Sequence, residues 1–305
     1  MNASAKPQRV TFRNILFATD FSEAAERALP YAAGLARSFA ANLYAIHVQE
    51  PVNYALPVET WQSVELAEEQ RIQKLAEAIR KQFPELSPKL LLGEGTVRGA
   101  VEAAVQAHEV DLIVVGTRGR TGLGKALLGS QAEAIVREAK CPVLTVGPHA
   151  DSELRQRGKV SSILFATNFG PGSCAAAHLA VSLAEEYQAK LTLLHVIEHK
   201  EAQSGIHEEI ATLDENALRR FVPAEAKLWC QPHYIVEWGE PAERILKTAA
   251  RTSADLIVLG VHAPEGVPGA ATHLPNTVHR VVAQAECAVM TVKAKRECKH
   301  AKECV

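Results

Sequence analysis

No apolar run in this 305-residue chain approaches the roughly 20 residues a helix needs to cross a bilayer. The opening segment MNASAKPQRVTFRN carries no apolar stretch of the kind found in a secretory leader. A dominant charge is missing as well. Lys and Arg number 33 against 35 Asp and Glu, a formal net charge of −2. Such a chain offers no field to attract nucleic acid or an anionic lipid surface. The expectation is a soluble cytoplasmic protein with no nucleic-acid or membrane partner.

Paired metal-binding cysteines are also wanting. Six cysteines are scattered along the chain without a C-x-x-C pair. Cys141 and Cys287 open apolar runs and read as small buried thiols. Cys298 and Cys304 flank His300 in the tail KRECKHAKEC. Two thiols and one imidazole leave a zinc site one ligand short, so the segment reads as a mildly basic tail. His195-Val-Ile-Glu198-His199 matches the order of an inverted zinc-protease motif, which requires a helix. Here it ends LTLLHVIEH, a strand-like run whose alternation sets Glu198 on the side opposite His195 and His199. No catalytic triad, paired-carboxylate site or complete metal cluster is found elsewhere.

What the chain does have is itself, twice. RNILFATDFS at 13–22 returns as SSILFATNFG at 161–170, and LYAIHVQE at 43–50 as LTLLHVIE at 191–198. VDLIVVG at 110–116 returns as ADLIVLG at 254–260, and KCPVLTV at 140–146 as ECAVMTV at 286–292. Order is kept and only loop lengths change, so a whole domain is duplicated. The polar, turn-rich stretch GPHADSELRQRGKV at 147–160 suits a linker. Domains spanning 1–149 and 150–305 are expected.

Within the first copy, strands are expected near 13–19, 42–48, 88–93, 111–116 and 142–146. Runs such as ILFA and DLIVV are apolar throughout, as strands buried on both faces of a parallel sheet must be. Helices are expected near 22–39, 60–83, 97–108 and 129–139, with Ser22 as an N-cap. The alternation predicts an α/β class: two tandem doubly wound, Rossmann-like, five-stranded parallel sheets of order 3-2-1-4-5. In that order a ligand crevice opens at the carboxyl ends of strands one and four. Ala18-Thr19-Asp20 falls at the first and the loop GTRGRTGLGKALLGS, 116–130, at the second.

That loop contains Gly119-x-x-x-x-Gly124-Lys125, but Ala126 stands where a P-loop needs its magnesium-binding hydroxyl, and the loop follows the wrong strand. A dinucleotide fingerprint fails too, because Leu127 stands where the third glycine should be. A different spacing fits. Gly116-x-x-Gly119, nine residues, then Gly129-Ser130 resembles the nucleotide signature of the universal stress protein family, and both copies resemble its domains nearly end to end. Independently of the resemblance, the glycines permit close backbone approach and positive φ. Gly129-Ser130 opens a helix whose N–H groups and dipole favour an anion, with Ser130 able to cap it. Arg118, Arg120 and Lys125 add cationic side chains.

The resemblance implies specific roles. Asp20 would contact the adenosine moiety, with Ala18 and Thr19 beside it, although its carboxylate also suits an ordinary turn. The Val48 backbone would meet adenine, and Val115, Gly116, Gly119, Gly129, Ser130 and Gln131 would line ribose and phosphates. The ligand implied is ATP, or ADP or AMP, with magnesium. Family members pair through their last strand, which implies that 142–146 pairs with 288–292 within this chain, and that whole chains form a homodimer.

The second copy has lost this cradle. Ala263 stands for Gly119, Pro275 for Gly129, Asn276 for Ser130 and Asn168 for Asp20, and no Lys or Arg lies between 252 and 279. The expected function is a nucleotide-binding stress-response regulator, acting on a downstream protein, with ATP held by the first domain. The alternative is a slow ATPase or an enzyme acting on adenylate.

Overall fold

The computed structural model describes residues 10–49, 58–117, 128–150, 159–170, 172–198, 207–261 and 274–293. The first half contains β1 (Asn14–Thr19), α1 (Glu23–Phe39), β2 (Asn42–Val48), α2 (Val58–Gln82), β3 (Lys89–Gly93), α3 (Val97–Ala107), β4 (Leu112–Gly116), α4 (Ser130–Glu138) and β5 (Val143–Val146). The second half repeats them as β6 (Ser162–Thr167), α5 (Ser173–Tyr187), β7 (Lys190–Ile197), α6 (His207–Arg219), β8 (His233–Trp238), α7 (Pro241–Arg251), β9 (Leu256–Val261), α8 (Asn276–Gln284) and β10 (Ala288–Lys293).

The expected order 3-2-1-4-5 is present in each half, and the two five-stranded segments join through 142–146 and 288–292, the pairing that the resemblance implied. One ten-stranded sheet runs β3-β2-β1-β4-β5-β10-β9-β6-β7-β8. Strands within a half are parallel, while β5 and β10 meet antiparallel with Leu144 opposite Met290. The last strand of each copy, an exposed edge if the copy stood alone, is thereby covered. Two threonines reinforce the joint: Thr145 Oγ1 donates to Val289 O at 3.0 Å and Thr291 Oγ1 to Val143 O at 3.3 Å.

The apolar runs behave as two-faced strands. In β1, Ile15 and Phe17 enter one core with α1, α2, α5 and α6. Leu16 and Ala18 enter the other with α3, α4, α7 and α8. Each core contains residues of both halves, so the burial that holds one half together also holds it to the other. Helix α1 begins at Ser22, whose hydroxyl accepts from Ala25 N at 3.3 Å. It ends at Ala40 in the left-handed region, φ 50°, and α5 ends the same way at Gln188, φ 52°. The start of each central strand is held by a buried or half-buried aspartate. Asp111 accepts from Arg13 N and Asn14 N at 2.7 and 3.1 Å, and Asp255 from Ser161 N and Ser162 N at 2.8 and 3.0 Å. Burial pushes the Asp111 carboxyl above its ordinary value, opposed by the two backbone donors.

Candidate functional site

Strand order reverses between β1 and β4, whose neighbours on the far sides are β2 and β5. Crossovers leave in opposite directions there, and a crevice opens at the carboxyl ends. Ala18 and Val115 are register partners across that gap, both almost fully buried. Thr19-Asp20 leaves one side of it and Gly116-Thr117 the other, while Val48 closes β2 one strand away.

The turn after β1 is tightly specified. Thr19 Oγ1 accepts from Phe21 N at 3.0 Å and Asp20 Oδ1 from Ser22 N at 2.9 Å. Between them Phe21 takes a left-handed φ of 59°, an uncommon conformation for an aromatic residue. A buried histidine holds the turn from β2: His47 Nδ1 lies 2.8 Å from Thr19 O. A carbonyl can only accept, so Nδ1 carries the proton. The Phe21 ring leans on the imidazole, centroids 4.6 Å apart. Nε2 faces Glu68 Oε2 of α2 at 3.2 Å, at ion-pair distance but not aligned as a hydrogen bond. Arg71 meets the other Glu68 oxygen at 2.9 Å.

The second half rebuilds the same turn. Thr167 Oγ1 accepts from Phe169 N, Asn168 Oδ1 from Gly170 N, and Phe169 has φ 57°. His195 Nδ1 lies 2.8 Å from Thr167 O, its Nε2 is 3.7 Å from Asp214, and Phe169 packs on the ring. His195 is therefore occupied as a strand histidine, while His199 lies outside the described residues. The turn uses one side-chain oxygen, which asparagine supplies as well as aspartate does. The negative charge of Asp20 is not a requirement of the turn.

At the end of β4, Gly116 has a packing duty. A Cβ there would lie 2.6 Å from the backbone C and O of Ala24, where α1 crosses the strand. Gly260 meets Gly172 of the second half in the same way, again at 2.6 Å. Gly116 does not take positive φ, so it serves close approach rather than an unusual turn. Alternation then sets Thr117 on the opposite, α4 side of the sheet. Thr117 is 1% exposed and its hydroxyl has no hydrogen-bond partner among the described residues. Its backbone is fully engaged: Thr117 N donates to Val146 O at 3.0 Å, and Thr117 O accepts from Gly129 N at 2.8 Å. The second of these bonds ties the start of α4 to the end of β4.

Two expectations about α4 need correction. Gly129 is the N-cap, with φ −63° and ψ 141° and no side-chain cap bond. Ser130 is the first helical residue and does not cap. Nor is Gly129 N available to an anion, because Thr117 O takes it. The first intrahelical bond runs from Glu133 N to Gly129 O at 2.9 Å, so the N–H groups without an intrahelical acceptor at this end are those of Ser130, Gln131 and Ala132. Pro275 holds nearly the same cap geometry in the second half, φ −51° and ψ 137°. Its substitution removes the tie to the strand, not a phosphate donor.

The structure thus gathers Ala18, Thr19, Asp20, Val115, Gly116 and the start of α4 at one sheet edge, with Val48 beside them. Arg118, Gly119, Arg120 and Lys125 lie outside the described residues, as do Ala263 and the Cys298–Cys304 tail. Sequence reasoning missed Thr117, Glu68 and Arg71. The signal for His47 was visible, since the HV step recurs at 195. Thr117 was legible only as one of the two residues, with Arg118, between the signature glycines Gly116 and Gly119. Cys287 is buried, as expected, and Cys141 half-buried; burial pushes both thiols up to about 12. Among the described residues no group of three or more His, Cys, Asp or Glu could hold a metal ion, and no helix is long and apolar enough to cross a membrane.

Comparison with known proteins agrees with the duplication. The model of the universal stress protein family matches twice, over residues 11–147 and 159–293. A universal stress protein of Methanocaldococcus jannaschii is 32% identical over 139 residues, 44% of this chain and 82% of its own length. One from Thermus aquaticus is 36% identical over 136 residues, 44% of this chain and 98% of its own length. Each of these relatives therefore corresponds to less than half of this chain. The solved structure of an Archaeoglobus fulgidus universal stress protein shares the fold across both halves. Its TM-score is 0.69 at 18% identity, covering 92% of this chain and 98% of that one. The chain belongs to the universal stress protein family, as a tandem of two of its domains.

Proposed function

We propose that the first half binds one adenine nucleotide, ATP or its ADP or AMP counterpart, and that the protein acts as a nucleotide-responsive regulator in a stress response. The observation that carries this reading is Thr117. Its hydroxyl is buried and has no hydrogen-bond partner among the described residues, and a buried orphan of this kind costs about 1–3 kcal/mol unless a ligand satisfies it. It stands at the switch-point crevice inside the Gly-x-x-Gly, nine residues, Gly-Ser spacing. The second half has Val261 in the same place.

The residues fit the group. The N–H groups of Ser130, Gln131 and Ala132, which have no intrahelical acceptor, and the positive end of α4 favour phosphate. Arg118 and Gly119 complete the loop in sequence. Asp20 carries a charge its turn does not need, suited to ribose hydroxyls or the adenine amino group. Val48, Ala18 and Val115 supply apolar contact for the base and sugar. A magnesium ion accompanying the nucleotide would be held by phosphate oxygens and water.

Calorimetric titration of the full chain with ATP, followed by a phosphate-release assay, tests the reading. One site per chain is expected, lost in Gly119→Ala. Two equal sites, or unchanged affinity in that variant, would overturn it. Stoichiometric phosphate release over repeated turnovers would favour the ATPase alternative.

A further inference from the structure

The duplicated chain keeps a second half whose own cradle has gone, and the contacts of α4 suggest why. This nine-residue helix is gripped near both ends by the other half. In its first turn, Glu133 Oε1 accepts from Leu274 N at 3.3 Å. Leu274 is buried and directly precedes Pro275, the cap of α8. In its last turn, the carbonyl of Arg137 accepts from Lys293 Nζ at 3.1 Å. Lys293 closes β10, so its ammonium sits where the negative end of the α4 dipole favours a cation.

The reciprocal grip is of another kind. The residue of α8 equivalent to Glu133 is His279, and the residue after β5 equivalent to Lys293 is Gly147. Gly147 meets the α8 end through backbone, since a Cβ there would stand 3.3 Å from Ala285 O. Two polar side-chain contacts thus hold the helix whose N-terminus faces the crevice, and both depend on the second half.

We propose that the second half is a positioning partner in cis for the nucleotide site, with Glu133 and Lys293 as positioning residues that fix α4 against the crevice. The inference rests on the nucleotide reading and adds a task for the half that lacks the signature. Holding the Glu133 carboxylate on Leu274 N also engages a negative charge that would otherwise oppose phosphate at the same helix end. Linkage requires the converse: a ligand seated on α4 strengthens the contact between the halves.

The test uses Glu133→Ala and Glu133→Gln in the full chain, read by ATP titration and by amide exchange across α4 without ligand. Electrostatics alone makes both variants bind ATP at least as tightly as the parent, because both remove a negative charge. Positioning separates them. Glu133→Gln keeps an oxygen acceptor for Leu274 N and retains affinity, whereas Glu133→Ala weakens ATP about three- to tenfold, the scale of one lost hydrogen bond. Glu133→Ala also speeds exchange in α4. Lys293→Met repeats the loss and Lys293→Arg restores it. Equal affinity for the Ala and Gln variants, with α4 exchange unchanged, overturns the proposal. A parent chain that binds no ATP overturns the nucleotide reading instead, and the exchange measurement still reports the grip on its own.

Discussion

The two halves of this chain are the same fold under different demands, and their differences divide its residues into two sets. Both keep the glycine at which a helix crosses β4 or β9, the Thr-x-Phe turn with its left-handed phenylalanine, the histidine that holds that turn, and the aspartate that ties the central strands. They differ at Asp20 and Asn168, Thr117 and Val261, Gly129 and Pro275. The turn survives the first change, the second removes a hydroxyl with no hydrogen-bond partner among the described residues, and the third keeps the cap geometry while losing the tie to the strand. What both halves retain serves packing and turns that both halves share. What the second half has dropped is the set that the nucleotide proposal gives to the ligand. Gly116 illustrates the gain in resolution: it belongs to the nucleotide signature by spacing, yet Gly260 persists where the signature does not.

The strongest attack on this division is to place valine at both glycines. Gly116→Val and Gly260→Val each drive a side chain into backbone 2.6 Å away, with no flexible group to yield. Each is expected to cost about 3 kcal/mol, at the upper end for overpacking, seen as a lower denaturant midpoint. If only Gly116→Val destabilises, the shared packing role is wrong. Replacing Gly129 by proline, the residue of the second half, comes next in size. Its φ of −63° already suits proline, so the helix cap survives. The lost bond from Gly129 N to Thr117 O costs about 1 kcal/mol, and loosening of the α4 start should weaken ATP by about tenfold or more. Affinity equal to the parent would return Gly129 to the structural set.

The architecture was legible because its signals are local and doubled. ILFAT and LIVVG are apolar on both faces, and a parallel sheet is what makes such a run stable. Strand and helix limits agree with expectation to within a residue or two, down to Ser22 as the α1 cap. The joining of the halves into one sheet was legible only through the family resemblance, because no single strand records which edge it will cover. The site was half-legible. Spacing located the loop, but it could not reveal that Gly129 N is consumed by Thr117 O, that Ser130 is inside the helix, or that Gly116 answers to Ala24. Those facts depend on a carbonyl direction or a crossing distance. Glu68 escaped because it reaches His47 from a different element, α2, and Arg71 because it meets that glutamate rather than the strand.

A smaller effect probes whether the joined strands are equally closed in both halves. Cys141 and Cys287 occupy equivalent positions, and burial pushes each thiol from 9.0 up to about 12. The protonated thiol is neutral, so above pH 9 the unfolded chain releases protons that the folded chain keeps. Stability is then complete below pH 9 and falls as pH rises toward 12, by at most about 1.4 kcal/mol per pH unit for each group. Cys141 is only half-buried, so solvent reduces its share. Tyr187, also pushed up to about 12 by burial, titrates from 10.0 in the same range. Cys287→Ala should flatten the fall in midpoint between pH 9 and 10.5 more than Cys141→Ala does. Equal slopes in both variants would mean the two halves are equally open at the joint.

The smallest expected effect on stability is the most informative about function. Thr117→Val imports the residue of the second half into a site that is already closed, where Val261 shows that a methyl is accommodated. If the hydroxyl served the fold, its loss would destabilise. It has no partner to lose among the described residues, so the unliganded variant should be unchanged or more stable by up to about 1 kcal/mol. Under the nucleotide proposal, affinity should move the other way and fall severalfold, because the proposal gives this hydroxyl to the ligand. Opposite signs for stability and affinity at one residue are difficult to obtain from a packing defect, which lowers both. A variant that is less stable and binds ATP as well as the parent would place Thr117 with Gly116, among the residues that the fold itself demands.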